Sequence, residues 1–177
     1  FVWKATSPKV RAMAITVTHI SAATASLTWA LWERIKFGKA SLVGIVTGTI
    51  AGLASITPAS GFVGPWAALL IGAVAGILCQ EAVVLIRNKA KIDDTLDVFA
   101  VHGVGGIFGT IMIAALGAGS WAAQLGSLAI VGVYTTVVTV VLVLVCKAIT
   151  PLRVSKEVEV NGLDPSVHGE RAYDLSS

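Results

Sequence analysis

The segment from Gln124 to about Ala148, with GSLAIVGVYTTVVTVVLVLV at its centre, is rich in Val and Leu and almost free of polar groups. A run of that length matches a hydrocarbon core ~30 Å thick. Backbone amides find no water there, so the run must close its hydrogen bonds internally, as a helix. It reads as a peripheral, lipid-facing helix. Four apolar stretches precede it, at Ala12 to Trp32, Ser41 to Thr57, Trp66 to Ile86 and Thr95 to about Leu116. With 55% hydrophobic and 13% charged residues and a mean hydropathy of +0.84, the chain is too apolar for an ordinary soluble domain. The fold class expected is all-α, a polytopic transmembrane helical bundle. Residues 1–11 form a lead-in, 12–150 the five-helix membrane region and 151–177 a polar tail.

The chain begins at Phe1 without an initiator methionine and reads as the continuation of something longer. Its first residues, FVWKATSPKVR, offer too short an apolar run for a signal peptide. The formal net charge of +3 is concentrated in loops, the distribution set by membrane orientation, and gives no support for a nucleic-acid partner. Cys79 and Cys146 both fall in apolar segments without CxxC or Cys/His context and read as inert packing residues. No metal-ligand spacing appears, and no cofactor is called for.

Within the spans, the small residues carry the packing signal. Gly44, Gly48 and Gly52 recur at intervals of four, and Gly72 with Gly76 repeats the pattern, so neighbouring helices are expected to approach nearly backbone to backbone. Trp29 and Trp32 stand where an aromatic belt would sit. His19 is expected to be satisfied locally by Thr18, Ser21 and Thr24. The connection from Thr57 to Pro65 carries no charge and two prolines, and reads as a turn or break between spans. Glu81, the one charge of its span, lies near a basic end, where pairing with loop cations is expected.

The stretch IDDTLDVFAVHGVGGIFGT, Ile92 to Thr110, holds the candidate chemistry. His102 places a titratable imidazole within a membrane-type helix, where an ionisable group is expensive and marks a functional site by default. The competing reading is a packed histidine bonded to a neighbouring carbonyl. Val98, His102, Gly105, Gly106 and Gly109 fall at helical spacings of three and four, so one face would carry the imidazole beside a groove. Asp97 is either an N-cap supporting the helix dipole or an organiser of the pathway below His102. The two are five residues apart, roughly 140° around a helix, so spacing implies no direct pair.

Basic residues set the orientation. With five spans, loops 33–40 and 87–94 and the tail share one side, which holds ten of the thirteen Lys and Arg when Lys147 is included. That side is expected to be cytoplasmic, in a plasma or inner membrane. Lys4, Lys9 and Arg11 then lie outside, against the rule, which preceding spans would explain. The tail, polar and dotted with Gly and Pro, is expected to be extramembranous and ordered only by docking.

Three blocks, GTIAGLASITPASGFVGP at Gly48 to Pro65, KIDDTLDVFAVHGVGGIFGT at Lys91 to Thr110 and GLDPSVHGERAY at Gly162 to Tyr173, resemble the ammonium transporter family (Amt/Mep/Rh) in order and spacing. The resemblance implies an eleven-helix protomer of two inverted five-helix repeats plus a final long helix, assembled as a homotrimer with a pore through each protomer. This chain corresponds to the second half, with Phe1 to Ala5 at the end of the helix before it and the N-terminal half missing. His102 then matches the second of two pore histidines, Asp97 a buried carboxylate shaping its helix, and Ile50 and Val98 apolar pore-lining positions. His19 matches no family site. The implied substrate is ammonium or ammonia, with methylammonium as analogue, and a PII-type regulator is implied at the cytoplasmic tail, where His168 reads as exposed.

Such a pore is physically coherent. A bare ammonium ion in an apolar channel is prohibitive, so recruitment must be followed by deprotonation or a proton relay. An imidazole can accept a hydrogen bond from ammonia or pass a proton along. Potassium has no proton to release, which supplies selectivity. Transport is therefore the expected function. The alternative is an ammonium sensor signalling through the tail. An intramembrane hydrolase would need a nucleophile, and Ser60, the one suggestively placed serine, has no nearby base in sequence.

Overall fold

The computed structural model describes residues 7–170. The expectations for Phe1 to Ala5, for Lys4 and for the end of the third block, Arg171 to Tyr173, lie outside the described residues. The architecture is all-helical. Helix α1 runs from Pro8 to Phe37, α2 from Leu42 to Ile56 and α3 from Pro65 to Val84, the last widening into a π-helical turn at Leu85–Lys89. A second π-helical turn, Phe99–Gly103, leads directly into α4, Val104–Ala115, and α5 covers Trp121–Ile149. Pro65–Lys89 and Trp121–Ile149 are each long and apolar enough to cross a membrane, while Leu42–Ile56 and Phe99–Ala115 are shorter apolar helices.

Local chemistry explains the boundaries. Pro8 and Pro65 occupy the first helical turn, where a missing N–H costs nothing and the fixed φ favours entry. Gly38 ends α1 in the left-handed conformation at φ 80°, its N–H bonded to Arg34 O, a conformation glycine adopts without Cβ strain. Ser41 caps α2 by accepting from Gly44 N, and its own N–H donates to the Glu33 carboxylate at 2.8 Å. The Glu33 carboxylate thereby ties the end of α1 to the start of α2.

Two glycine ladders close onto α1, as their spacing predicts. A Cβ at Gly48 would lie 2.6 Å from Trp29 Cβ, and one at Gly52 would lie 2.7 Å from Ala25 Cβ. On α3, Gly72 meets the backbone of Ser21, and Gly76 meets Thr28 and the Ala25 carbonyl. Helix α1 is thus the post against which α2 and α3 both press. The close approach also permits an interhelical hydrogen bond, Ser21 Oγ donating to Gly52 O at 3.0 Å, with Ser21 fully buried. Gly48→Leu is expected to force Trp29 out of place and lower the yield of folded protein. Size-exclusion profiles of the detergent-extracted variant, unchanged from native, would contradict this.

Four expectations are corrected here. Trp29 belongs to no interfacial belt: it is 3% exposed and packs with Ala51, Cys79 and Val101, because the glycines of α2 leave room for its ring. His19 is not satisfied by Thr18, Ser21 or Thr24. Its Nδ1 lies 3.0 Å from Ile15 O, while Ser21 turns to α2 and Thr24 donates to Ile20 O. Of the cysteines, Cys79 is buried but Cys146 is exposed, on a helix with no buried residue. The tail does not await docking for all its order: Lys156–Asn161 forms a short helix, α6, begun by Ser155 and flanked by an Arg153–Glu159 ion pair, and Asp164–His168 forms a further π-helical turn.

The connection after α2 is more than a surface hairpin. Ala59 is fully buried and Val63 nearly so, packed with Val17, Ile56, Ala68, Ile71 and Ile113. Backbone bonds from Ala59 N to Ile56 O and from Val63 N to Ala59 O close its turns, which meets the requirement that buried amides find partners.

Glu81 is paired, as its position suggests. Lys36 Nζ lies 2.6 Å from Glu81 Oε1, Trp32 Nε1 donates to the same oxygen, and the Lys36 ammonium stands 6.0 Å from the centre of the Trp32 ring. The contacts fasten the end of α1 to α3.

Candidate functional site

The candidate site is built at the junction between the loop after α3 and the turn that carries His102. Thr95 was expected to open this helix, with Asp97 as a possible N-cap. The cap is Asp94. Its Oδ1 accepts from Val98 N at 2.8 Å and its Oδ2 from Phe99 N at 2.9 Å, satisfying amides that a helix start leaves orphaned. The helical path therefore begins at Val98 and Phe99 rather than Thr95. Asp97 instead adopts a left-handed backbone, φ 55°, just before it.

Asp97 is placed by three contacts. Its N–H donates to Asp94 O at 3.0 Å, its carbonyl accepts from Val101 N at 2.8 Å, and its Oδ1 lies 2.7 Å from Arg87 Nε. The last is a charge contact without directed hydrogen-bond geometry, since that oxygen has no hydrogen-bond partner among the described residues. Arg87 also donates from Nη2 to Thr95 O at 2.8 Å. Sequence reasoning missed both Asp94 and Arg87. The signal for the first lay in the paired Asp93 and Asp94, either of which lies within capping reach of the helix start.

His102 and Val98 come together in a groove of about 480 Å3 lined also by Ile86, Asp94, Phe99 and Gly103. Its walls are apolar near the imidazole and acidic at the loop end. His102 is exposed, and it forms no hydrogen bond among the described residues. Ile50 lies elsewhere: it is 38% exposed on α2 and does not line this groove.

The expected single face of Val98, His102 and the glycines is split. Gly105 and Gly109 are buried, and a Cβ at Gly105 would stand 2.9 Å from Ser55 Oγ, while one at Gly109 would run into the Ser55 carbonyl. Gly106 meets nothing within 4 Å and remains on the open side. The cause is local geometry. A π-helical turn holds more residues per turn than an α-helix, so the widened turn Phe99–Gly103 keeps Val98 and His102 aligned outward. Gly105 and Gly109 rotate onto α2, and the close contact fixes the histidine turn against the bundle. Asp94→Ala is expected to lower stability by ~1 kcal/mol through loss of the cap. A thermal melt of the detergent-solubilised variant with an unchanged midpoint would contradict that assignment.

Apolar helices pressed together through glycine, with one imidazole set on an apolar open face, define an integral membrane protein of the helical-bundle class. The model of the Ammonium Transporter Family matches residues 2–173, and the chain belongs to that family. The ammonium transporter of Aquifex aeolicus is 39% identical over 93% of this chain and 42% of its own length. Ammonium transporter Amt1 of Archaeoglobus fulgidus is 42% identical over 90% of this chain and 44% of its own.

Among solved structures, one titled Sensor Amt Protein aligns with a TM-score of 0.81 at 28% identity, covering 89% of this chain and 42% of that one. Candida albicans Mep2 aligns with a TM-score of 0.73 at 30% identity, covering 85% and 38%. The all-helical fold is thus that of the Amt/Mep transporters. The chain spans less than half the length of these relatives.

Proposed function

We propose that this chain, as part of a complete transporter, carries the histidine-bearing side of a pathway for ammonium or ammonia across the membrane. The observation that carries the reading is the imidazole of His102, held outward beside Val98 in an apolar groove, in a chain of the ammonium transporter family. His102, Val98 and Ile50 are the pathway residues of this reading, and Asp97 supports the turn that presents the imidazole. His102 accepts a hydrogen bond from ammonia or relays its proton, so a cation enters the apolar path only after giving up that proton.

In this reading, residues 12–150 make five crossings, 151–177 lie on the cytoplasmic side and 1–11 connect outside. The exposed side of the histidine turn faces an N-terminal half. Three such protomers assemble, and a PII-type protein meets the cytoplasmic face. The relatives described above are named as transporters, which favours transport over catalysis and over the sensor reading.

The test is uptake of labelled methylammonium by proteoliposomes containing the complete protein. Uptake that competes with ammonium and not with potassium is the expected result. Proteoliposomes no more permeable to methylammonium than protein-free vesicles would overturn the proposal.

A further inference from the structure

We propose that Arg87 is a positioning residue that sets the aim of His102 by stapling the strand of chain just before the histidine turn. This deepens the transport reading, on which its flux measurement rests. Arg87 stands in the π-helical turn that ends α3, and its guanidinium reaches two points flanking Leu96: Nη2 donates to Thr95 O at 2.8 Å, and Nε faces Asp97 Oδ1 at 2.7 Å. Between them the backbone is bent sharply, with Asp97 in the left-handed region at φ 55°. Non-glycine residues seldom adopt that conformation, and it persists where surrounding contacts determine it.

The staple acts on the imidazole through a short path. The Asp97 carbonyl receives Val101 N at 2.8 Å, and His102 is the next residue. The Asp94 carboxylate receives Val98 N and Phe99 N, the first amides of the same turn. Fixing residues 94–97 therefore fixes the start, and hence the rotation, of the turn that aims His102 into the groove. The pair itself contributes little to stability, because the Arg87 side chain is 45% exposed and water screens such contacts. Its consequence is geometric: a planar guanidinium engages both partners at once, which the point charge of a lysine does not reproduce.

The experiment uses the complete protein in liposomes with 15N-labelled histidine, its His102 signals identified by their loss in His102→Gln. In Arg87→Ala the His102 ring signals are expected to shift and spread over several environments. Methylammonium turnover per folded protomer should fall about tenfold, equivalent to ~1.4 kcal/mol on the barrier, with Arg87→Lys intermediate in both. Native ring signals in Arg87→Ala, or a turnover loss that only follows the yield of folded protein, would overturn the proposal. Should Arg87→Ala fail to assemble, Arg87→Gln, which keeps a donor for Thr95 but no charge for Asp97, supplies the same readout. If the native protein carries no methylammonium, the transport reading fails, and the ring signals still decide the role of Arg87.

Discussion

Replacing His102 by alanine in the complete protein is expected to reduce methylammonium flux about a hundredfold or more, the scale at which a positioned proton-transfer group contributes to a reaction. The fold should survive the change. His102 is exposed, holds no hydrogen bond among the described residues, and lies outside the buried clusters that bind α1, α2 and α3. The loss would therefore appear in turnover and not in yield or melting temperature. Flux recorded on reconstituted variant and native protein at equal folded content is the decisive comparison. Equal flux would remove the imidazole from the pathway, leaving the groove as a packing surface for the rest of the protein.

A second large effect is expected at Gly109. Adding even a methyl group would drive it into the Ser55 carbonyl, which is backbone, so no side-chain rotation relieves the overlap. Overpacking of this kind costs typically ~1–3 kcal/mol and can exceed that when backbone must move. Because α4 would be displaced from α2, Gly109→Ala should lower both the thermal midpoint and the flux. Gly106→Ala is the matched control. Its added methyl meets nothing within 4 Å in this chain, so any effect on it would come from a surface contributed by the rest of the protein. A native melting temperature for Gly109→Ala would contradict the close contact.

The two glycines also show where the reading of the sequence stopped. Both fall on one nominal helical face with His102, and ideal periodicity gives no reason to separate them. The separation depends on the widened turn Phe99–Gly103. That turn follows the Asp94 cap and the left-handed Asp97, features determined by how the loop returns from α3. Spacing along the chain does not encode that return.

Trp29 teaches the same point from the other direction. A tryptophan near the end of an apolar span fits an interfacial belt by position alone, yet the cleared surface of Gly48 accepts its ring into the core. Ser21 similarly reads as a local partner for His19 until α2 arrives within hydrogen-bond distance. Each error concerns a side chain whose partner is remote in sequence.

The sequence by itself determined that this chain is a membrane bundle, because long apolar runs without water have only the helix to satisfy their amides. It also determined which helices press together, since glycine at intervals of four marks a face on which backbones can meet, and it singled out His102 by the cost of placing an imidazole there. Tertiary structure alone decided where the histidine helix begins, which carboxylate caps it, and which glycines face the groove. Those depend on Arg87, Asp94, Thr95 and Asp97 meeting across a loop. Periodicity is a property of one segment, whereas caps, ion pairs and the phase of a helix are set by where the chain has been brought from.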